Sequence, residues 1–180
     1  MIVKQRKCKH CREKYTPVRP LQTACSPDCA IALMESAKKK AQRIKDAKRR
    51  DELKSRGELA RDAQTAFNKY IRLRDGNDPC ISCGRYHEGQ YHAGHYLSVG
   101  ARPELRFEEL NVHKQCAPCN NHLSGNIVNY RRNLIEKIGV EKVEWLEGKH
   151  EQKKYSKEDL REIRKVYLLK LKELERGNHE

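Results

Sequence analysis

Every cysteine in this 180-residue chain belongs to one of two quartets, and no other feature constrains the fold as strongly. The first quartet is Cys8-Lys-His-Cys11, thirteen residues, then Cys25-Ser-Pro-Asp-Cys29. The second is Cys80-Ile-Ser-Cys83, thirty-two residues, then Cys116-Ala-Pro-Cys119. Two cysteines separated by two or three residues can turn both sulfurs toward one ion, and two such pairs complete a tetrahedron. Closed all-thiolate coordination points to zinc with no open position, hence to two structural Zn²⁺ ions. An iron–sulfur cluster uses the same ligands and is the remaining alternative. His10 lies inside the first knuckle as a substitute ligand, but four cysteines already suffice. A lone CxxC could be a redox pair; two consecutive quartets that use every cysteine argue against that.

Metal bracing also suits the composition. With 37% hydrophobic and 36% charged residues, one large core is not expected, and small modules that bury little surface rely on bound metal. The N-terminus, MIVKQRKCKHC, lacks the apolar core of a signal peptide, and no apolar stretch approaches membrane-spanning length. A reducing cytosolic compartment is therefore expected, where cysteines serve as metal ligands more often than as disulfides. The net charge of +14 suits a polyanion, because each neutralised phosphate releases counterions. An anionic membrane surface would satisfy the same charge.

Four segments follow from the pattern: a cysteine module at 1–29, a basic helical arm at 30–75, a second cysteine module at 76–150, and a final helix at 151–180. The arm has no proline and one glycine, Gly57, which predicts two helices meeting there. In the first, Ala30, Met34, Ala37, Ala41 and Ile44 form a stripe too thin to build a core alone. From Ala37 to Arg56 there are ten Lys or Arg against three Asp or Glu. Lys38, Lys39, Lys40, Arg43, Arg49 and Arg50 are the candidate DNA contacts, with a solvated charged helix as the plain alternative. The second helix carries a broader face of Leu59, Ala63, Ala66, Phe67, Tyr70 and Ile71 that should pack on the next module. Ser156 can cap the final helix, with Glu158 and Asp159 in its first turn. Its face of Leu160, Ile163, Val166, Tyr167, Leu171 and Leu174 either folds back on the chain or pairs with a second copy as a homodimer.

Inside the second quartet, Tyr91-His92-Ala93-Gly94-His95-Tyr96-Leu97 is followed by a polar loop, Leu105 to Val112, and the knuckle Cys116–Cys119 with Asn120-Asn121-His122. A helix carrying Ile127, Tyr130, Leu134 and Ile138 is expected to begin at that knuckle. Strand, loop, strand, zinc knuckle and helix in this order resemble the HNH endonuclease motif, the ββα-metal finger, over residues 78–138. The wider pattern of N-terminal knuckle, basic arm, "HAGHYLSVG", "LRFEELNVHKQCAPCNNHLSGN" and "NYRR" resembles the phage NinG family, also called Rap. The fold class expected is thus α+β: a small zinc-braced ββα-metal domain, preceded by a zinc knuckle and basic arm and followed by a C-terminal helix.

The HNH resemblance implies roles. His95 takes the place of the general base, a task imidazole suits because its pKa lies near neutrality. Asn120 takes that of a ligand for a catalytic Mg²⁺ or Mn²⁺, with a helix N-cap as its plain alternative. Asn111 takes that of the residue that orients the loop. Many such sites carry an acid or histidine directly before the base, where this chain has Gly94. His92 is the expected replacement, although residues 92 and 95 leave a regular strand on opposite faces, so a bend at Gly94 is required. Ser124 stands where a further helix ligand often sits, with Asn121 and His122 as outside candidates. Arg102, Arg106, Arg131 and Arg132 could hold phosphates beside the scissile bond, or serve solubility. Gly125 falls inside the predicted helix, where glycine normally weakens it.

The NinG resemblance implies cleavage of branched DNA such as Holliday junctions and D-loops during phage recombination, in the cytoplasm of a bacterial host. Two alternatives stay open. One is an HNH nicking or homing nuclease acting on duplex DNA. The other is a non-catalytic zinc DNA-binding protein, of which Gly94 would be the symptom.

Overall fold

The computed structural model describes residues 4–177 and divides into two compact units, Met1–Lys54 and Ser55–Glu180. Residues 1–3 of the first segment and 178–180 of the last lie outside the described residues.

In the first unit, β1 (Arg6–Lys7) and β2 (Lys14–Tyr15) pair antiparallel, Arg6 opposite Tyr15. The turn between them closes with Arg12 at φ 67° and the Cys8 N–H donating to the Glu13 carbonyl at 2.8 Å. Helix α1 (Pro27–Leu53) starts within the cysteine quartet: the Ser26 hydroxyl accepts from the Cys29 N–H at 3.2 Å and Pro27 supplies the preset first position. No residue of α1 is buried, and residues 34–50 are exposed without interruption. Over 27 residues the helix extends about 40 Å, held at its start by the quartet.

The helix break falls at Lys54–Ser55 and not at Gly57. Ser55 and Glu58 form a reciprocal capping box (Ser55 N–H to Glu58 Oε2, 2.8 Å; Glu58 N–H to Ser55 Oγ, 3.3 Å), which starts α2 (Arg56–Arg74). Two satisfied backbone donors define a helix start more firmly than the weak propensity of Gly57 can.

The second unit is built around the antiparallel hairpin of β3 (Tyr91–His95) and β4 (Val112–Cys116), with Tyr91 opposite Cys116 and His95 opposite Val112. Short 3₁₀ turns at Pro103–Leu105 and Glu109–Asn111 shape the connection. After β4 a single π-helical turn, Pro118–His122, leads to α3 (Ile127–Ile138), α4 (Val140–Glu147) and α5 (Lys157–Gly177). On one side of the hairpin, Val112 packs with Phe67 and Ile71 of α2 and Tyr167 of α5. On the other, Tyr130 and Leu134 of α3 and Val143 and Leu146 of α4 enclose Tyr96, Leu105 and Ile81. The helix α5 folds back on α2, burying Leu160, Tyr167 and Leu171. Phe67 is fully buried, with the Tyr167 ring edge-on at 4.8 Å; a side chain of this size contributes about 1.5–3 kcal/mol by burial.

The helix expected to run on from the knuckle is interrupted. Ser124, Gly125 and Asn126 have φ of 47°, 85° and 46°, a left-handed turn that ends the π-helical segment before α3 starts. Gly125 is therefore a turn residue, and its positive φ accounts for glycine there. Among the described residues no helix is long and apolar enough to cross a membrane.

Candidate metal centres and active site

Each cysteine quartet gathers its four sulfurs within 4.8 Å of one another, and these are the groups of three or more Cys, His, Asp or Glu able to hold one ion among the described residues. Sulfurs bound tetrahedrally to zinc at 2.3 Å lie about 3.8 Å apart; Cys25 Sγ is 3.5 Å from both Cys11 Sγ and Cys29 Sγ. Backbone donors already address the sulfurs as they would thiolates: Cys25 N–H to Cys8 Sγ (3.4 Å) and Cys116 N–H to Cys80 Sγ (3.3 Å). Burial pushes the Cys8 thiol up, but N–H groups of Cys11, Cys25 and His10 outweigh it and bring the pKa to about 6. Cys25 is pushed up to about 12 by the crowding of Cys29 and Cys11. A cation would relieve that crowding and draw all four to the thiolate form. Both quartets can hold zinc.

One participant has no cysteine spacing to announce it. His87 Nε2 lies 3.2 Å from Cys83 Sγ, placed to donate to a metal-bound thiolate in the manner of an outer-shell partner. Asn126 Nδ2 stands similarly 3.7 Å from Cys119 Sγ.

The second quartet joins the base of the hairpin to the π-helical turn, and the HNH-like residues are distributed around that junction. His92 and Asn120 come together, with Asn120 Nδ2 2.9 Å from His92 Nδ1. The amide donates here, so His92 Nδ1 carries its lone pair toward Asn120. Donors in adjacent positions around an octahedral cation with 2.0–2.1 Å bonds are about 2.9 Å apart. Turning the amide to present its oxygen would therefore give a donor pair at the spacing of adjacent positions on a divalent ion, one a hard amide oxygen and the other a softer imidazole nitrogen. Ser124 sits in the left-handed turn and not one helical turn beyond Asn120. Asn121 Oδ1 accepts a second bond from Asn120 Nδ2 at 3.0 Å.

His95 belongs to a different neighbourhood. Its Nε2–H donates to the Arg106 carbonyl at 3.0 Å, and its ring lies 6.5 Å from that of Phe67. A carbonyl only accepts, so the neutral ring is the Nε2–H tautomer and Nδ1 is the basic atom. Burial lowers the His95 pKa, the Arg106 charge adds to this, and the bond to the carbonyl opposes it in part.

The β3–β4 ladder runs unbroken from Tyr91 to His95, so the bend anticipated at Gly94 is absent. His92 and His95 leave opposite faces of the strand. Gly94 has another cause: a Cβ at this position would stand 2.0 Å from Oε1 and 2.9 Å from Cβ of Gln115. Gln115 is fully buried, and its Nε2 donates to Ser82 Oγ (2.6 Å) and to the Gly125 carbonyl (2.5 Å). It ties the Cys80–Cys83 knuckle, the hairpin and the left-handed turn together.

Asn111 is also fully buried. Its Oδ1 accepts from the Leu97 N–H (2.9 Å), while Nδ2 donates to the carbonyls of Leu97 (3.0 Å) and Leu105 (3.2 Å). Its side chain closes the connection after β3.

Of the four arginines expected at phosphates, three make contacts inside the unit. Arg102 bonds Glu104 and the carbonyls of Leu146 and Gly148. Arg106 bonds Gln64 Oε1 at 2.8 Å, and Arg131 holds Glu147 by two bonds of 2.7 and 3.0 Å. A phosphate would have to share or displace those partners. Arg132 is exposed, its Nε 3.5 Å from Asn133 Oδ1. On α1, Lys38, Lys39, Lys40, Arg43, Arg49 and Arg50 are all exposed.

The Arg74–Asp75–His113 cluster was not marked by any motif. Arg74 grips Asp75 through bonds of 2.7 and 3.0 Å, the Lys114 N–H donates to the same carboxylate at 3.0 Å, and Arg74 also bonds the Val112 carbonyl at 2.9 Å. Burial pushes the Asp75 carboxyl up, but His113 and Arg74 outweigh it and hold the pKa well below the usual range. His113 Nε2–H donates to the Leu110 carbonyl (3.2 Å), and its Nδ1 lies 3.1 Å from Arg74 Nη2 and 3.4 Å from Asp75 Oδ2. The cluster fastens the end of α2 to β4.

The family model described as "Bacteriophage Lambda NinG protein" matches residues 1–178. Protein ninG of Salmonella phage P22 is 41% identical over 190 aligned positions, covering 94% of each chain. Protein ninG of Escherichia phage lambda is 41% identical over 196 positions, covering 98% of this chain and 96% of the relative. That of Escherichia phage 933W is 39% identical over 194, with the same coverage. No solved structure is significantly similar. A match this long, spanning both cysteine quartets, the basic helix between them and the hairpin within the second, places the chain in the NinG family.

Proposed function

We propose that the chain is a metal-dependent endonuclease of the HNH type that hydrolyses phosphodiester bonds in branched DNA, Holliday junctions and D-loops among them, during phage recombination in the host cytoplasm. The observation that carries this reading is the state of His95. Its Nε2–H is fixed on the Arg106 carbonyl and burial keeps the ring neutral, so Nδ1 is ready to accept a proton near neutral pH. That histidine stands on a hairpin whose second strand passes directly through a zinc knuckle into Asn120.

In this reading His95 Nδ1 takes the proton of a water molecule. The oxygen attacks phosphorus, a new P–O bond forms, and the bond to the leaving ester oxygen breaks. His92 and Asn120 would hold a divalent cation, which would offset charge on the scissile phosphate and the leaving oxygen. Since this pair and His95 leave opposite faces of β3, the two act on one phosphate only if DNA binding bends the strand. Asn111 keeps the loop that bears the Arg106 carbonyl in register, and so keeps His95 in its tautomer. The exposed cations of α1 hold flanking DNA, which agrees with their one-signed charge.

The test is cleavage of a synthetic four-way junction in Mg²⁺ by the wild type and by His95→Ala purified to equal zinc content. Loss of cutting in the variant is expected; undiminished cutting would refute the assignment. Linear, nicked and flapped DNA run in parallel test the branch preference, which equal cleavage of the linear duplex would remove. A second reading, a zinc DNA-binding protein without catalysis, draws on His95 and the His92–Asn120 pair leaving opposite faces of β3. Salt-sensitive binding with no cation-dependent cleavage of any of these DNAs would favour it.

A further inference from the structure

A cleft of about 410 Å³ opens in the second unit where the first turn of α2, the β3–β4 connection and the segment leading into α5 meet. Four of its lining side chains are cationic (Arg56, Arg106, Lys153 and Lys154) and none is acidic. Its floor is apolar, with Leu160 buried beneath and the half-buried ring of Tyr155 to one side. Beyond Tyr155 the balance of charge reverses: the neighbouring cleft is lined by Glu104, Glu108, Asp159 and Glu162, with Lys153 shared between the two. An anionic chain is therefore drawn to one side of this ring and repelled from the other.

Two further observations say what the cleft takes. Its volume lies within the range of pockets that enclose small organic groups, and an apolar floor under a cationic rim matches a flat base carrying phosphates. Tyr155 is positioned as a rigid wall, with its hydroxyl bonded to the Glu104 carbonyl (3.1 Å) and its ring edge-on to Phe107 (5.2 Å). Lys153 Nζ lies 5.1 Å from the ring centre, a cation that a base could replace on that face. Arg106 connects the cleft to His95: its carbonyl accepts the His95 Nε2–H, and the residue itself lines the cleft.

We propose that this cleft holds one unstacked nucleotide of the DNA strand at a branch, its base against Tyr155 and Leu160 and its phosphates among Arg56, Lys153, Lys154 and Arg106. A nucleotide at a branch point has lost a stacking neighbour, so it enters such a cleft at lower cost than one inside a duplex. The choice of branched over linear DNA would then be made here, beside the candidate base. The inference rests on the reading that DNA is the substrate, but not on cutting.

The test uses the zinc-loaded full chain without added divalent cation, a four-way junction carrying 2-aminopurine at the branch, and a linear duplex carrying it internally. Wild type is expected to change the emission of the branch base and leave that of the duplex base unaltered. Arg56→Gln/Lys153→Gln/Lys154→Gln alters exposed side chains alone and should reduce the salt-dependence slope for the junction by about two to three. Tyr155→Leu should weaken junction binding by about 10-fold with duplex binding unaffected, while Tyr155→Phe, which keeps the ring, binds as wild type. An unchanged slope in the triple variant overturns the proposal, as does an equal loss on junction and duplex in Tyr155→Leu. Should Tyr155→Leu fail to fold, the triple variant and the emission change still decide. If His95→Ala cuts normally while the cleft variants behave as stated, the catalytic assignment falls and the cleft remains.

Discussion

Gly94 and Gln115 occupy the same space from neighbouring strands: a Cβ on residue 94 would lie 2.0 Å from Gln115 Oε1. The space that a side chain at 94 would take is thus filled across the hairpin by an amide. That amide makes two bonds through Nε2, while its buried oxygen has no hydrogen-bond partner. An aspartate at 94 cannot be accommodated while Gln115 remains. Gly94→Ala is expected to cost about 1–3 kcal/mol in urea unfolding, the range for overpacking. Gln115→Ala alone costs a similar amount, because Ser82 and the Gly125 carbonyl lose a buried donor. Combined, the two should destabilise by less than their sum, with a coupling of about 1 kcal/mol or more. Strict additivity would show that the two side chains do not compete for space.

The buried state of His95 gives a pH signature. Its folded pKa is lowered, by burial first, whereas in the unfolded chain it titrates near about 6.5. As pH falls below that value the unfolded chain takes up the proton and the folded chain does not, so stability is complete above about 6.5 and declines below it. His113, lowered chiefly by burial as well, adds to the same slope. Unfolding free energies of wild type and His95→Gln between about pH 5 and 7.5 should show a shallower decline in the variant. If the enzyme reading holds, the acid limb of the cleavage rate has its midpoint below about 6.5; a midpoint above it would mean that another group is the base.

What the sequence discloses and what it conceals divide along a physical line. Thiolate pairs, a predominantly basic helix and the apolar faces of α2 and α5 are local or periodic, and are readable because spacing alone determines them. The capping box at Ser55 and Glu58 was equally local, an S-x-x-E signal overshadowed by Gly57 two residues into the same helix. The Arg74–Asp75–His113 cluster and Gln115 depend on segments roughly forty residues apart meeting across the hairpin, and no spacing rule encodes that. The break before α3 was concealed for another reason. The apolar period of Ile127, Tyr130, Leu134 and Ile138 is genuine, but it says nothing of three left-handed residues just upstream.

If the chain binds DNA as proposed, the exposed face of α1 makes a quantitative demand on that binding. Residues 34–50 carry eight Lys or Arg against two acids, all solvent-facing, so each phosphate they neutralise should release counterions. Replacing Lys38, Lys39, Lys40 and Arg43 by glutamine is expected to lower the slope of log affinity against log salt by about 2–4. No residue of α1 is buried, so the unfolding of the second unit should be unaffected. A slope identical to wild type would mean that the helix is merely solvated.

The two zinc sites should fail differently. In the first unit the quartet holds the start of α1, no residue of which is buried, so Cys8→Ser is expected to weaken DNA binding while the second unit still melts cooperatively. In the second unit, Cys80, Cys116 and Cys119 are buried where the hairpin meets the π-helical turn, so Cys116→Ser should release that turn, Asn120 with it, and abolish any cleavage. His87→Ala is the finer probe, since it removes a donor to Cys83 Sγ and leaves four cysteines in place. Zinc affinity at that site is expected to fall about 10–100-fold, read by competition with a chromogenic chelator, with the first site unchanged. Two zinc ions per wild-type chain by elemental analysis, and one readily extracted from His87→Ala, would establish both the stoichiometry and the outer-shell role; equal retention of both ions would remove His87 from the site.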